Sequence, residues 1–171
     1  MKYILTSFLL FIICQIGFGQ TELCDAVIYW KYEGIIKIYD EPNGLELTSL
    51  QNDIENENSA ALKIKEIEDN YFYVEISLAM DSMTYNGWIE RSEYIGAFMK
   101  HEKEYMDLAL YSKPNDKLSE LIKLKNWKAG FVTIEECNEE WTKVSVDFDG
   151  KRITGWIKSE KLCANNYSSC S

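Results

Sequence analysis

What most constrains this chain is that it runs through one pattern twice. Gly87-Trp88-Ile89 returns as Gly155-Trp156-Ile157, with the two tryptophans 68 residues apart. Upstream, Ile38-Tyr39-Asp40-Glu41-Pro42-Asn43 matches Leu110-Tyr111-Ser112-Lys113-Pro114-Asn115 at a spacing of 72, and Pro42 and Pro114 are the only prolines present. Between these anchors a third match runs at a spacing of 70. Leu62, Ile64 and Ile67 align with Val132, Ile134 and Cys137; Tyr71, Val74 and Ile76 align with Trp141, Val144 and Val146. The drift from 72 to 68 needs only small loop insertions. Three anchors in the same order imply a duplicated structural unit.

Within each copy the period is that of strands. Leu62-Lys63-Ile64-Lys65 and Val132-Thr133-Ile134-Glu135 alternate apolar and polar residues, and residues 141–146 are rich in strand formers. Turn chemistry separates the runs at Pro42-Asn43-Gly44, Glu68-Asp69-Asn70, Pro114-Asn115-Asp116, Asn138-Glu139-Glu140 and Asp149-Gly150. Short strands with frequent turns predict an all-β chain of two small tandem barrels, residues 20–98 and 99–171. The polar segment 52–60 lacks turn-fixing Pro or Gly and reads as a mobile loop of the first copy. Residues 99–107, which include His101, read as the link, either extended or a turn or two of helix.

The second copy resembles a bacterial SH3 (SH3b) domain over roughly residues 106–163. The resemblance rests on an opening apolar strand that leads into a Pro-bearing turn (Leu110 to Asn115). It rests also on Gly130 before an alternating strand and acidic turn, on Trp141-Thr142-Lys143-Val144, and on Gly155-Trp156-Ile157 followed by a short Ser-containing turn. The first copy departs from that pattern, with Tyr71 in place of the strand Trp and no Gly before Leu62. The resemblance implies small SH3-like barrels that recognise a wall peptide or an envelope protein segment through an aromatic groove.

Residues 1–19 have the form of a secretory signal. Lys2 supplies the basic start, an apolar run follows, and Gly17 and Gly19 place small residues before a cut at Gln20. The run is short for a membrane anchor, which needs about 20 apolar residues. Ile13 stands where a lipoprotein signal has a small residue before Cys14. The expected location is therefore periplasmic or secreted, with no stable membrane insertion. Cys24, Cys137, Cys163 and Cys170 remain after cleavage, an even set that favours one or two disulfides. A tie at the C-terminus using Cys163 and Cys170 is expected. The four do not form two C-x-x-C pairs, so metal binding is not expected.

Lys2 is the only charged residue in the signal, so the mature chain keeps 17 of 18 basic residues against 28 acidic ones, a formal charge of −11. Nucleic acid and anionic membrane surfaces require a positive footprint and are disfavoured. A basic partner protein, or an uncharged contact through aromatic rings, fits better.

No catalytic constellation and no cofactor site is expected. The chain has one histidine, His101, in the link, so a Cys nucleophile has no base predicted close by. Glu135-Glu136 and Glu139-Glu140 flank a turn and read as solvated acids. Asp147-Phe148-Asp149-Gly150 reads as a hairpin turn, because the remaining ligands of a calcium loop are missing. The aromatic residues shared by the copies, Tyr39 with Tyr111 and Trp88 with Trp156, are candidate ligand contacts together with Trp141. Each ring would bring apolar area with little entropy to lose. A small barrel also needs rings to fill its core. Tight packing beside the preceding glycine assigns Trp88 and Trp156 to the core more than to a groove. The expected function is a non-catalytic binding protein. Its partner would be a wall peptide or envelope segment or, alternatively, a basic protein that it inhibits or helps to assemble.

Overall fold

The computed structural model describes residues 22–100 and 103–165. The expected signal peptide, His101 and Cys170 lie outside them. β1 (Cys24–Ile28) leads into the first copy of the repeat, which supplies β2 (Ile36–Tyr39), β3 (Glu46–Leu50), β4 (Ala60–Glu68), β5 (Tyr71–Leu78) and β6 (Thr84–Glu90). β7 (Ile95–Met99) follows. The second copy supplies β8 (Tyr105–Tyr111), β9 (Leu121–Lys128), β10 (Phe131–Cys137), β11 (Trp141–Phe148) and β12 (Lys151–Lys158). A 3-10 turn, Ser159–Lys161, precedes β13 (Leu162–Cys163). The chain is all-β, with no α-helix among the described residues.

The strands form one antiparallel sheet in the order β3-β2-β6-β5-β4-β1-β7-β10-β11-β12-β8-β9, with β13 also paired to β7. The two copies run outward from its middle and repeat each other strand for strand. The repeat anchors meet across strands: Tyr39 is in register with Trp88, and Tyr111 with Trp156. The glycine before each tryptophan is needed because another strand crosses there. A Cβ on Gly87 would lie 2.5 Å from Ile38 Cγ2 and 2.8 Å from the Tyr39 carbonyl. One on Gly155 would lie 2.8 Å from Leu110 Cβ and 3.2 Å from the Tyr111 carbonyl. Both copies also carry a bulge at the same place, between Ile64 and Glu66 and between Ile134 and Glu136. A bulge bends its strand and increases the local twist.

Between β11 and β12, Asp149 and Gly150 both have positive φ, 50° and 72°, and Phe148 pairs with Lys151. That is a two-residue hairpin of the twist-compatible kind. The alternating positions of β4, β5 and β10 point Leu62, Ile64, Val74, Ile76, Val132 and Ile134 into the core.

β7 belongs to both halves. It pairs with β1 through Ile95 and Gly96, with β10 through Gly96, Ala97 and Phe98, and with β13 through Phe98 and Met99. The division expected between residues 98 and 99 falls within this strand. The link to the second copy is therefore residues 100–104, shorter than the expected 99–107. A disulfide joins Cys24 of β1 to Cys137 of β10 with a Cα separation of 6.0 Å, and so ties the halves together on either side of β7. Cys163 is also disulfide-bonded; its partner lies outside the described residues, so the expected tie to Cys170 does too.

Arg91, which follows β6, adds a polar clamp between the halves. Its guanidinium donates to the Asp69 carbonyl at 3.0 Å and to the Glu135 carbonyl, lies 3.6 Å from the Glu135 carboxylate, and covers the Phe72 ring. Arg152 reaches the same carboxylate at 3.2 Å, and Ser145 donates to it at 2.5 Å. These are the only two arginines in the chain. Burial by itself would raise the Glu135 carboxyl, but Ser145, Arg152 and Arg91 together hold it below the usual carboxylate range. Glu135 is thus not the solvated acid that its place beside a turn suggests: the bulge turns it inward against both arginines.

Candidate functional site: an aromatic pair and an aromatic cleft

Two places collect aromatic rings beside solvent. The first is built where β11 begins. The Asn138 side-chain oxygen accepts hydrogen bonds from the Glu140 and Trp141 backbone amides at 3.1 and 2.9 Å, and the Asn138 backbone N–H donates to the Trp141 carbonyl at 2.8 Å. This tight turn fixes Trp141 at the strand start. Tyr111, at the end of β8, meets the Trp141 ring edge to face with centroids 5.4 Å apart, a favoured aromatic geometry. Lys158 pairs with Trp141 across β12 and holds its ammonium 5.8 Å from the ring. A shallow depression of about 360 Å³ opens here, lined by Trp141, Lys158, Glu139, Glu140 and Glu160.

The same place in the first copy is built alike with different chemistry. Tyr39 and Tyr71 are edge to face at 6.1 Å, and Glu90 stands where Lys158 stands in the second copy. The Tyr71 hydroxyl reaches the Asn43 side chain at 3.2 Å.

Among the candidate residues, the structure brings Tyr111 to Trp141 and Tyr39 to Tyr71, and leaves Tyr39 and Tyr111 half-buried. Trp88 and Trp141 are buried, with 8% and 6% of their surfaces exposed, whereas Trp156 is half-buried. The tryptophans therefore divide differently from the simple core reading of Trp88 and Trp156. The difference arises from their cross-strand neighbours. Trp88 packs on Tyr73 at 5.4 Å, while the equivalent partner of Trp156 is Lys143, whose ammonium lies 6.0 Å from the ring centre.

The second place was not visible in the repeat. A cleft of about 430 Å³ is lined by Trp30, Ile54, Phe98 and Val27, with Asn52, Asp53 and Glu57 among its polar groups. Trp30 lies just past β1 and is 47% exposed. It belongs to a string of rings. Tyr29 lies 6.3 Å from Trp30 and 4.9 Å from Phe131, and Phe131 lies 5.4 Å from Phe98, which returns to the cleft wall. The other wall is the 52–60 loop. Asn52 is buried; its amide donates to the carbonyls of Tyr29 and Tyr32 at 3.0 and 3.3 Å, and its oxygen accepts from the Ala60 amide at 3.3 Å. Asp53 and Asn58 pair as an isolated bridge. The loop expected to be mobile is thus pinned at its root.

No family model, curated protein or solved structure matches this chain. Among the described residues, no helix is long and apolar enough to cross a membrane.

Proposed function

We propose that the chain is an exported, non-catalytic binding protein of two SH3-like barrels, and that the second presents Tyr111 and Trp141 to a peptide or envelope protein segment. The observation that carries this reading is the edge-to-face contact of half-buried Tyr111 with Trp141, which itself lines an open depression. Two features of the fold support the barrel assignment. The two copies repeat the same pairing order, and a 3-10 turn stands between the Gly-Trp-Ile strand and the last strand of the second copy. A disulfide between the halves suits an oxidising compartment.

The rim also bears on the kind of partner. Glu139, Glu140 and Glu160 surround one lysine, Lys158, whose ammonium lies 4.0 Å from Asp116. An approaching segment with basic side chains gains from these carboxylates, and an acidic one is repelled. The two expected partner classes then meet in one description: an envelope peptide or protein segment that is itself basic.

The test is recovery of binding partners from a native envelope extract by wild type and by Tyr111→Ala. Tyr111 is half-buried, so its removal should leave folding intact, as melting would check. Loss of a contact of this kind weakens binding by about 2 kcal/mol or more, roughly thirtyfold. Equal retention of the same partners by the variant would move the site elsewhere. Retention that falls as salt rises identifies the charged rim as a contributor; retention indifferent to salt assigns binding to the rings alone.

A further inference from the structure

We infer that the cleft beside Trp30, walled mainly by the first half and closed by Phe98 of the shared β7 and by Asn165, is a second binding site for a small organic cation with an apolar body. It shares no lining residue with the depression beside Trp141. Nine residues, 51–59, join β3 to β4, whereas only Ala129 and Gly130 join β9 to β10. The long connection is therefore not required to complete this strand arrangement. Its effect is to wall the cleft.

Three observations specify the ligand. The first is shape: about 430 Å³ falls within the range of small-molecule sites, about 300–1,000 Å³. The second is the apolar wall. Trp30, Ile54 and Phe98 face the cleft, and the rings behind them are held in one packed string from β1 to β10. Exposed tryptophan faces attract cations, as Lys31 shows by holding its ammonium 4.8 Å from the Trp30 centroid; a ligand cation displaces that side chain or takes the ring's other face.

The third is charge. Asp53 and Glu57 line the cleft, and Glu33 and Glu55 line a separate depression that shares Asn52, Asp53 and Ile54 with it. Asp53 accepts hydrogen bonds from the Asn56 side chain and amide at 2.7 and 3.2 Å, which holds its carboxyl below the usual range and keeps it ionised. Glu57 is fixed at φ 55°, a left-handed conformation uncommon for a residue with a side chain. The walls are anchored through Asn52 before any ligand arrives, so little ordering cost opposes binding.

The test titrates phenethylammonium and, separately, phenylacetate into the full folded chain while following the Trp30 indole N–H by NMR. Phenethylammonium should shift that signal saturably with a dissociation constant near or below about 1 mM. Phenylacetate should not. Trp30→Ala, followed through the Ile54 methyl signals because the indole is gone, should weaken binding about tenfold or more with little change in melting temperature, since about half of the side chain is exposed. Glu57→Gln should weaken it up to about fivefold. Tyr111→Ala should leave it unchanged, which separates this site from the depression beside Trp141. Equal affinity for the two probes, no saturable shift, or full binding by Trp30→Ala would each overturn the inference.

Discussion

Removing the Cys24–Cys137 disulfide should cost this protein a large part of its stability, and the cost can be worked from its place in the chain. The bond spans 113 residues of sequence. In the chain-entropy account, closing a loop of that length removes about 16 cal/mol/K from the unfolded ensemble, or about 5 kcal/mol at room temperature. Domains of this size commonly have only about 5–15 kcal/mol in all. The perturbation is the double substitution Cys24→Ala and Cys137→Ala, which leaves the bond at Cys163 in place, unlike chemical reduction. Both cysteines are buried, so the lost sulfur contacts add to the deficit. The assay is urea unfolding of oxidised wild type and of the variant. The midpoint should fall and the denaturant slope should rise, because the freed chain exposes more surface when unfolded. In a thermal melt the loss corresponds to roughly 10–20 °C. A loss below about 2 kcal/mol would refute the loop-closure reasoning. It would mean that the packing around β7 already restrains the two ends, even in the unfolded ensemble.

Other consequences follow from particular contacts. Gly155→Ala should destabilise by about 1–3 kcal/mol through the Leu110 clash, and Gly87→Ala by at least as much, as measured by urea unfolding. Neutral behaviour of both would mean that the strand crossings open easily. Because β7 completes both halves, wild type should unfold in one transition, with near-UV and far-UV signals coincident; two separated transitions would contradict the shared strand. The Asp25 carboxyl is pushed up to about 6, first by desolvation and then by its hydrogen bond with Glu22. The folded chain therefore takes up a proton that the unfolded chain does not as pH falls from about 6 towards 4, so this group adds stability across that window, and Asp25→Asn should remove the gain. Glu135 has the opposite sign. Its lowered value supports the fold at neutral pH, and that support is lost as pH falls through its folded value, so Glu135→Gln should flatten stability in the acid range.

The repeat was legible because its anchors are residues with little freedom to change. Gly87 and Gly155 sit where strands cross, and the Tyr and Trp of each copy meet in register, so the sequence matches mark real contacts. The paired bulges and the Asp149-Gly150 hairpin follow from the same local chemistry. What flanks the copies was not legible. β1, β7 and β13 are short, and β1 and β7 are mostly buried runs without the alternation that announces a strand. Their partners are set by tertiary pairing. The Cys24–Cys137 connection depends on those same strands, so counting cysteines left it open. Trp30 and Asn52 lie outside the repeat, and their roles arise only when β1 is brought beside the 52–60 loop. Glu135 looked solvated because a bulge that inverts one residue leaves no mark in an acidic turn.

The central claim, that Tyr111 and Trp141 form the recognition surface of a binding module, is tested most directly by ring-resolved NMR. Soluble wall peptides, and separately a basic peptide of about ten residues, are titrated into the mature chain while the tryptophan indole and Tyr111 ring signals are followed. The account predicts saturable shifts centred on Tyr111 and Trp141 for at least one of the two, small movement at Trp88 and Trp127, which do not line the depression, and loss of the shifts in Tyr111→Ala. Saturable shifts that bypass Tyr111 and Trp141, or no saturable shift with either ligand, would contradict it.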